Sequence, residues 1–285
     1  MRCTTIAATV LLVLWSASNA ICDEIKDVMD QALATVRCIE SFECNTSLSY
    51  SNGKVTTVKM ACDGIRFFFD YADIVPPQKL GATPHVEGYD PLKPFKYKLA
   101  FNGANYQLRI EGSGLTSDRP QKPFLMQPLM LPCLWLVFDG GNEPRLETLR
   151  SDATWAKRFE QATLIGQSQV REEPCTVLAF PQLSGQANTV YHVHFAKNLG
   201  GFPMRYERIA NDSHAVSSRC DVSKIHAFKV NGREAYFPIQ VKYEETGLAK
   251  DHSMPGEITV DVAVESLHIN ERIDEAIFTL PLQIK

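Results

Sequence analysis

The hydrophobic positions that follow residue 20 first recur with the period of an α-helix and then with the period of a β-strand. Between residues 23 and 41 the apolar side chains fall three or four positions apart, and Asp23 is placed to cap the first turn, so we predict one amphipathic helix. From residue 44 onward apolar and polar residues alternate. Asn52-Gly53 lies between residues 44–50 and 55–61. This dipeptide predicts a β-hairpin, because both residues tolerate the positive φ angles of a tight turn.

The same alternation predicts strands along the rest of the chain. Residues 146–161 have mixed helical character, and strand-helix-strand alternation is absent from the sequence. This pattern is typical of an α+β fold with a mainly antiparallel sheet and helices on one face, and it predicts a single domain over residues 21–285. The further predicted strands are residues 65–71, a pair within 98–110, 162–170, 175–180, 189–197, 203–211, 222–230, 236–246 and 257–269.

Residues 124–138, which we call the apolar segment, contain Gln127 as their only polar side chain. The segment is shorter than the ~20 residues of a membrane-spanning helix, and Pro128 and Pro132 interrupt it. Because leaving so many apolar side chains in water costs more than a domain can tolerate, the segment must lie against an apolar surface of its own fold. We predict that it covers a hydrophobic concavity; ordinary core packing is the alternative.

The predicted strands offer the apolar segment a matching surface. In residues 65–71 the odd positions are all apolar, and strand alternation places them on one face. A pocket between this face and the methionine-containing segment would hold an acyl chain or an apolar peptide; a filled core is the alternative. The predicted ligand-binding residues are Phe67, Phe69, Tyr106, Leu108, Phe124, Met126, Leu129, Met130, Leu134, Trp135 and Phe138.

The first twenty residues have the form of a secretory signal. Arg2 precedes an apolar stretch, and Ser18-Asn19-Ala20 supplies small residues for cleavage after Ala20. We therefore expect an exported protein, periplasmic or extracellular and soluble after cleavage. Lipid attachment at Cys22 is the alternative, although the small residue that lipoprotein signals place directly before the cysteine is absent. Loss of Arg2 changes the net charge from −4 to −5, and no basic cluster indicates a nucleic-acid partner.

The cysteines suggest disulfides. Of the eight, Cys3 leaves with the signal, so the remaining number is odd and at least one thiol stays unpaired within the chain. A hairpin register that joins Ser51 to Lys54 sets Cys44 opposite Ala61, next to Cys62. A small bulge would align these two cysteines, and an oxidising compartment favours the bridge. The candidate pairs are Cys44 with Cys62, and Cys175 with Cys220.

Motifs for catalysis are absent from the sequence. It contains no G-x-S-x-G, no H-E-x-x-H, no G-x-x-x-x-G-K-[ST] and no G-x-G-x-x-G. We predict that the protein is not an enzyme and uses no cofactor. His192 and His194 would project from the same face of a strand, but the sequence spacing fixes no third ligand, so we predict no metal site.

Several stretches together resemble a known family. Residues 63–67, 100–106, 201–207, 236–239 and 267–279 are similar, in order and content, to stretches of the periplasmic lipoprotein carrier LolA and its relatives among lipoprotein receptors and envelope-stress regulators. The resemblance spans nearly the whole chain after the signal. It implies an unclosed half-barrel of antiparallel strands whose concave face is covered by helices and receives lipid or lipoprotein acyl chains.

Two differences from the carriers limit what the resemblance implies. Where carriers have a basic residue and proline before the third strand, this chain has Asp63-Gly64, so no functional arginine can be assigned. The chain is also longer and richer in cysteine. We expect a diverged relative that holds or carries an apolar ligand, with a lipid or an acylated protein as its partner. The alternative is an interaction or sensor protein with a filled core that contacts another envelope protein.

Overall fold

The computed structural model describes residues 21–51, 53, 55–74, 95–110, 115–119, 151–181, 189–245 and 258–280. Within these ranges α1 covers residues 21–37 and α2 covers Asp152–Phe159. The strands are β1 (Ser41–Tyr50), β2 (Val55–Asp63), β3 (Arg66–Ile74), β4 (Phe95–Phe101), β5 (Tyr106–Ile110), β6 (Leu115–Arg119), β7 (Thr163–Val170), β8 (Glu173–Pro181), β9 (Thr189–Ala196), β10 (Phe202–Ala210), β11 (Val216–Val230), β12 (Arg233–Glu245) and β13 (Ile258–Ile269).

All of these strands belong to one thirteen-stranded sheet in the order β6-β5-β4-β3-β2-β1-β13-β12-β11-β10-β9-β8-β7. Neighbouring strands are antiparallel throughout. The pair β1 and β13 joins two meanders, one running out to β6 and the other to β7. Because β6 and β7 remain as edges, the predicted antiparallel and unclosed sheet is confirmed.

The main hydrophobic core lies on one face of this sheet, which we call the inner face and which carries Phe67 and Phe69. Alternate residues of the strands that form this core point to it, as the period of two in the sequence predicts. The polar residues between them lie on the opposite, outer face. The core extends across the sheet from β4 to β7, so a single apolar layer spans both meanders.

Helix α1 packs on this core where β9 turns into β10. Gly200 and Gly201 both adopt positive φ angles in that turn, and a side chain at position 201 would collide with the backbone of α1. Thr35 Oγ1 donates a hydrogen bond to the carbonyl oxygen of Gly200 at 2.9 Å. The buried apolar residues of α1 are Val28, Ala32, Leu33 and Val36.

Helix α2 covers the end of the inner face formed by β8 and β9. Trp155 stacks on Phe159 with ring centroids 5.5 Å apart, and Phe159 meets the edge of Phe180 at 5.2 Å. Phe159 also contacts Phe195 of β9. Arg158 Nη1 donates to the carbonyl oxygen of Pro181 at 2.6 Å, which fixes α2 to the end of β8.

A second apolar cluster lies on the outer face of β2, β3 and β4. Residues 273–280 cross this face after β13, and Phe278 packs there with the guanidinium of Arg66 over its ring at 4.8 Å. The backbone N–H of Leu280 donates to buried Gln107 Oε1 at 2.7 Å. The residues of this outer cluster are Ala61, Phe68, Ala100, Ile273, Phe278 and Leu280.

The structure corrects several predicted boundaries. The predicted helix ends at residue 37 instead of 41, because Asn270 binds the backbone that follows it. Asn270 Oδ1 accepts a hydrogen bond from the N–H of Glu40 at 2.7 Å, and Asn270 Nδ2 donates one to the carbonyl oxygen of Cys38 at 2.7 Å. Strand β6 was not predicted, since Leu115–Arg119 does not alternate in polarity. Strand β11 begins six residues before its predicted start, in a run of small and polar side chains.

The predicted disulfides are not formed. Gly53 N–H bonds to the carbonyl oxygen of Tyr50 at 2.9 Å, and this turn pairs Cys44 with Met60, one residue from the predicted register. Cys62 pairs instead with Phe42. Cys175 on β8 and Cys220 on β11 are separated by two strands. All four are free thiols in the structure.

Candidate functional site

Two apolar rows cross the inner face of β1–β4. In the first row Leu99 lies beside Phe69, Phe69 beside Met60, and Met60 beside Cys44. The second row crosses the same four strands and lies two residues away from the first row on each of them. Its members are Phe101, Phe67, Cys62 and Phe42.

Aromatic contacts hold these rows together. The rings of Phe67 and Phe101 stack with centroids 5.6 Å apart, and Phe69 lies at the same distance from Phe67. Phe42 contacts Phe237 of β12 at 5.3 Å, which connects the rows to the other meander. Offset and tilted ring pairs of this kind add about 0.5–1.5 kcal/mol each beyond the area they bury.

Two ion pairs of these four strands lie on the outer face. Lys59 Nζ is 2.7 Å from Glu43 Oε1, and Lys98 Nζ is 2.7 Å from Asp70 Oδ2. Both pairs join neighbouring strands. The inner rows contain only hydrocarbon, aromatic and sulfur groups, so this surface offers apolar contact and no charge to a molecule that lies on it.

The two cysteines of the rows, Cys44 and Cys62, are unreactive thiols at neutral pH. Burial raises the pKa of the Cys44 thiol to about 12, and burial also raises the pKa of Cys62 well above its ordinary value. Since the thiolate is the reactive form, both residues act as small apolar groups at neutral pH.

The structure places some of the predicted ligand-binding residues and leaves others undescribed. Phe67 and Phe69 are buried on the inner face, as predicted. On β5, Tyr106 pairs with Phe101 of β4, and Leu108 pairs with Leu99 of β4. The predicted residues of the apolar segment, Phe124, Met126, Leu129, Met130, Leu134, Trp135 and Phe138, lie outside the described residues.

Sequence reasoning missed four residues of the two rows: Phe42, Met60, Leu99 and Phe101. Three of them lie on strands that were predicted, but choosing the inner positions of a strand requires knowing its register. The correct register would have identified them, because strand partners that face each other across a sheet share a face. Phe42 precedes the predicted start of β1 and gave no strand signal.

The outer face of β7, β9, β10 and β11 carries a polar network that includes the two histidines. His194 Nδ1 lies 2.8 Å from Ser168 Oγ, and its Nε2 lies 3.4 Å from Glu207 Oε2. Arg219 Nε donates to Glu207 Oε1 at 2.8 Å. The contact with His194, aided by the charge of Arg219, holds the pKa of Glu207 at about 2. Burial lowers the pKa of His192, the other histidine on this face.

Neither a metal-binding cluster nor a membrane-spanning helix is found within the described residues. Among them, no three or more His, Cys, Asp or Glu side chains are grouped so that they could hold a metal ion. Nor does any helix in those ranges combine the length and apolarity that a membrane crossing requires.

No protein-family model and no curated protein sequence matches the chain. Solved structures do match. A DUF1329 family protein from Desulfovibrio piger is 13% identical, with 90% of this chain and 97% of that chain covered, at a TM-score of 0.53. A LolA superfamily protein from Nitrosomonas europaea is 9% identical over 90% of this chain and 97% of that chain, at a TM-score of 0.47.

A third solved structure is a putative outer membrane lipoprotein-sorting protein domain from Vibrio parahaemolyticus. It is 9% identical, with 88% of this chain and 95% of that chain covered, at a TM-score of 0.49. At such low identity the similarity to solved structures concerns the fold. The predicted resemblance is therefore confirmed for the fold alone, which the chain shares with the DUF1329 family protein.

Proposed function

We propose that the protein is an exported binding protein that holds or carries an apolar ligand, a lipid or the acyl chain of a lipoprotein, on the inner face of β1–β4. The observation that carries this proposal is the uncharged surface formed by the two apolar rows. Its largest side chains are Phe42, Phe67, Phe69 and Phe101. Every charge of the same strands that forms a described ion pair does so on the outer face.

The chemistry of the rows suits a long hydrocarbon chain. Burying apolar surface stabilises a complex by roughly 25 cal/mol per Å², and a methylene chain gains this without needing hydrogen-bond partners. Methionine and cysteine adapt their shape and polarise easily, so Met60, Cys44 and Cys62 can accommodate chains of different length. A polar metabolite would find few hydrogen-bond partners among these side chains, because the Cys44 thiol already pairs with Thr46 Oγ1 at 3.8 Å.

The cover of the ligand would come from the apolar segment. The described contacts of α2 are with β8 and β9, at the other end of the inner face. A ligand held beneath residues 124–138 would then contact Phe124, Met126, Leu129, Met130, Leu134, Trp135 and Phe138 from above and Phe67, Phe69, Tyr106 and Leu108 from below.

The test combines ligand recovery with matched variants. Mass spectrometry of organic extracts from gently purified protein should identify a bound lipid. Replacing Met130 and Trp135 by serine should abolish binding of a fluorescent fatty acid while the melting temperature stays close to that of the parent, because a surface that opens for a ligand is loosely packed.

A specific observation favours a second candidate, an envelope interaction or sensor protein with a filled core. Phe67, Phe69 and Leu99 are at most 1% exposed in the structure, so they are covered without any ligand. If the core is closed, the parent should not bind the probe, and truncating Trp135 should cost about 3–5 kcal/mol and lower the melting temperature sharply. That outcome would contradict the carrier function.

We also propose that the protein is exported and that its signal is removed. Cleavage after Ala20 would release a chain that begins at Ile21, and α1 is helical from that residue onward. N-terminal sequencing of protein recovered from the periplasm or the medium should give Ile21. A diacylated Cys22 in the mass spectrum would instead place the chain on a membrane.

A further inference from the structure

Strand β7 is an edge strand whose protection, within the described residues, is limited to one bulge near its start. Its sequence, Thr163–Val170, contains no charged residue and no proline. Natural edge strands commonly carry lysine or other charges, because an unprotected edge offers its free N–H and C=O groups to another strand. The opposite edge strand, β6, does carry Asp118 and Arg119. Within the described residues, β7 pairs only with β8.

An apolar side chain is exposed at this edge. The register of β7 and β8 shifts between Leu164 and Gly166, which leaves Ile165 between the paired positions as a bulge. Gly166 takes φ +145 there. Ile165 is 52% exposed, among the largest apolar exposures in the described part of the chain. From Gly166 to Val170 the strand pairs regularly, so its backbone is extended and ordered for a further strand.

The inner side of β7 is fixed by the rest of the fold. Gln167 Nε2 donates to Glu24 Oε1 of α1 at 2.6 Å, and Ser168 binds His194 on the other side. These contacts hold β7 in the sheet while its edge faces outward. A pre-ordered strand loses little conformational entropy when another strand binds to it.

We propose that β7 pairs antiparallel with the β7 strand of a second copy of this chain, which joins two sheets into one across a twofold axis. An isologous contact requires a self-complementary surface. Two uncharged strands can approach each other without like-charge repulsion, and the pairing covers both exposed Ile165 side chains.

The charges that flank β7 favour the antiparallel arrangement. Glu160 precedes the strand and Arg171 follows it; both are exposed, and neither forms an ion pair with another described side chain. Antiparallel pairing places Glu160 of one copy near Arg171 of the other, and the twofold axis repeats this contact at the other end. In a parallel arrangement like charges would meet.

The first test measures association by sedimentation velocity over a range of protein concentrations, with a reductant present because Cys22 is exposed. The parent should form dimers. Ile165→Lys should weaken the dimer at least tenfold, since it sets like charges close together on the twofold axis, while the melting temperature of the monomer is unchanged. The matched control is Val55→Lys, which changes an equally apolar side chain that is 58% exposed, and which should leave the dimer intact.

The second test addresses the antiparallel register. Glu160→Arg alone and Arg171→Glu alone should each weaken the dimer, and the double variant should restore it. Hydrogen exchange of those β7 amides that point away from β8 should slow as the protein dimerises and stay fast in Ile165→Lys. A parent that is monomeric at every attainable concentration, an Ile165→Lys variant that dimerises as tightly as the parent, or a β7 edge that binds only an unrelated protein would each overturn the proposal.

Discussion

Gly201 lies against the backbone of Ala32 so closely that a Cβ at position 201 would stand 2.8 Å from the Ala32 nitrogen. The same position has a φ of +68, which disfavours residues with a side chain. Two independent restrictions therefore require glycine where α1 meets the turn between β9 and β10. This contact sets how closely the first helix approaches the sheet.

We predict that Gly201→Ala is strongly destabilising. The variant combines the ~1–2 kcal/mol cost of the left-handed conformation with a clash against rigid backbone, so the total should exceed that of conformation alone. Gly232→Ala is the matched control, because Gly232 has φ +79 and open space around its missing side chain. Chemical denaturation of both variants measures the difference, and equal losses would show that α1 is not held closely at Gly201.

We predict that Phe278→Ala costs about 3–5 kcal/mol, the usual result of truncating a buried phenylalanine. Phe278 is 1% exposed and fills the outer cluster beneath Arg66. Because this cluster lies on the side of the sheet away from the inner face, any binding of a fluorescent fatty acid should persist under conditions where the variant is folded. Glu275→Ala, an exposed change in the same short turn, should be nearly neutral. Thermal unfolding separates these outcomes.

Most of the sheet could be predicted from the period of its hydrophobic residues. Strands β7, β9, β10 and β13 begin and end within one residue of the predicted positions, since each is bounded by turn residues and alternates regularly. The local sequence is therefore enough to predict where these strands begin and end. It is not enough to predict the pairing of β1 with β13, because that pairing depends on contacts between residues more than 200 positions apart in the sequence.

The parts that were missed depend on tertiary contacts. Phe68 belongs to the polar side of β3 by alternation, yet it is buried, because residues 273–280 return to cover it. Ser218 and Cys220 occupy inner positions of β11, where small side chains give a weak hydrophobic signal. For the candidate site, the aromatic pattern of residues 65–71 identified Phe67 and Phe69, whereas their partners on β1 and β4 follow only from the register.

We predict that the buried cysteines resist alkylation in the native protein. Iodoacetamide at neutral pH should modify exposed Cys22 and leave Cys44, Cys62 and Cys220 intact, because burial raises the pKa of each of these three thiols. All should react after unfolding in guanidinium. Peptide mapping by mass spectrometry measures the result. Native labelling of Cys44 or Cys62, or a bridge that joins them, would contradict the free and buried thiols of the structure.

We predict that Glu207 contributes stability that depends on pH. Its pKa in the folded protein is about 2, below the ordinary value of 4.5, owing first to the contact with His194 and then to Arg219. A carboxylate with a lowered pKa stabilises the fold above its unfolded pKa, and this contribution is lost as the pH falls from about 4.5 toward 2. Above pH 5, Glu207→Gln should therefore lower the free energy of unfolding by about 1.5–3 kcal/mol, the range for hydrogen bonds to a charged group.

The difference between parent and Glu207→Gln should shrink as the pH falls through this window, because the parent carboxylate becomes protonated and resembles the amide. Urea unfolding at a series of pH values between about 2 and 7 measures it. Glu265→Gln serves as control, since Glu265 is exposed on β13 and its replacement should change stability little at any pH. A constant difference between parent and Glu207→Gln over the whole series would mean that the amide disrupts packing on the outer face, and that the charge of Glu207 is not what stabilises β9, β10 and β11 there.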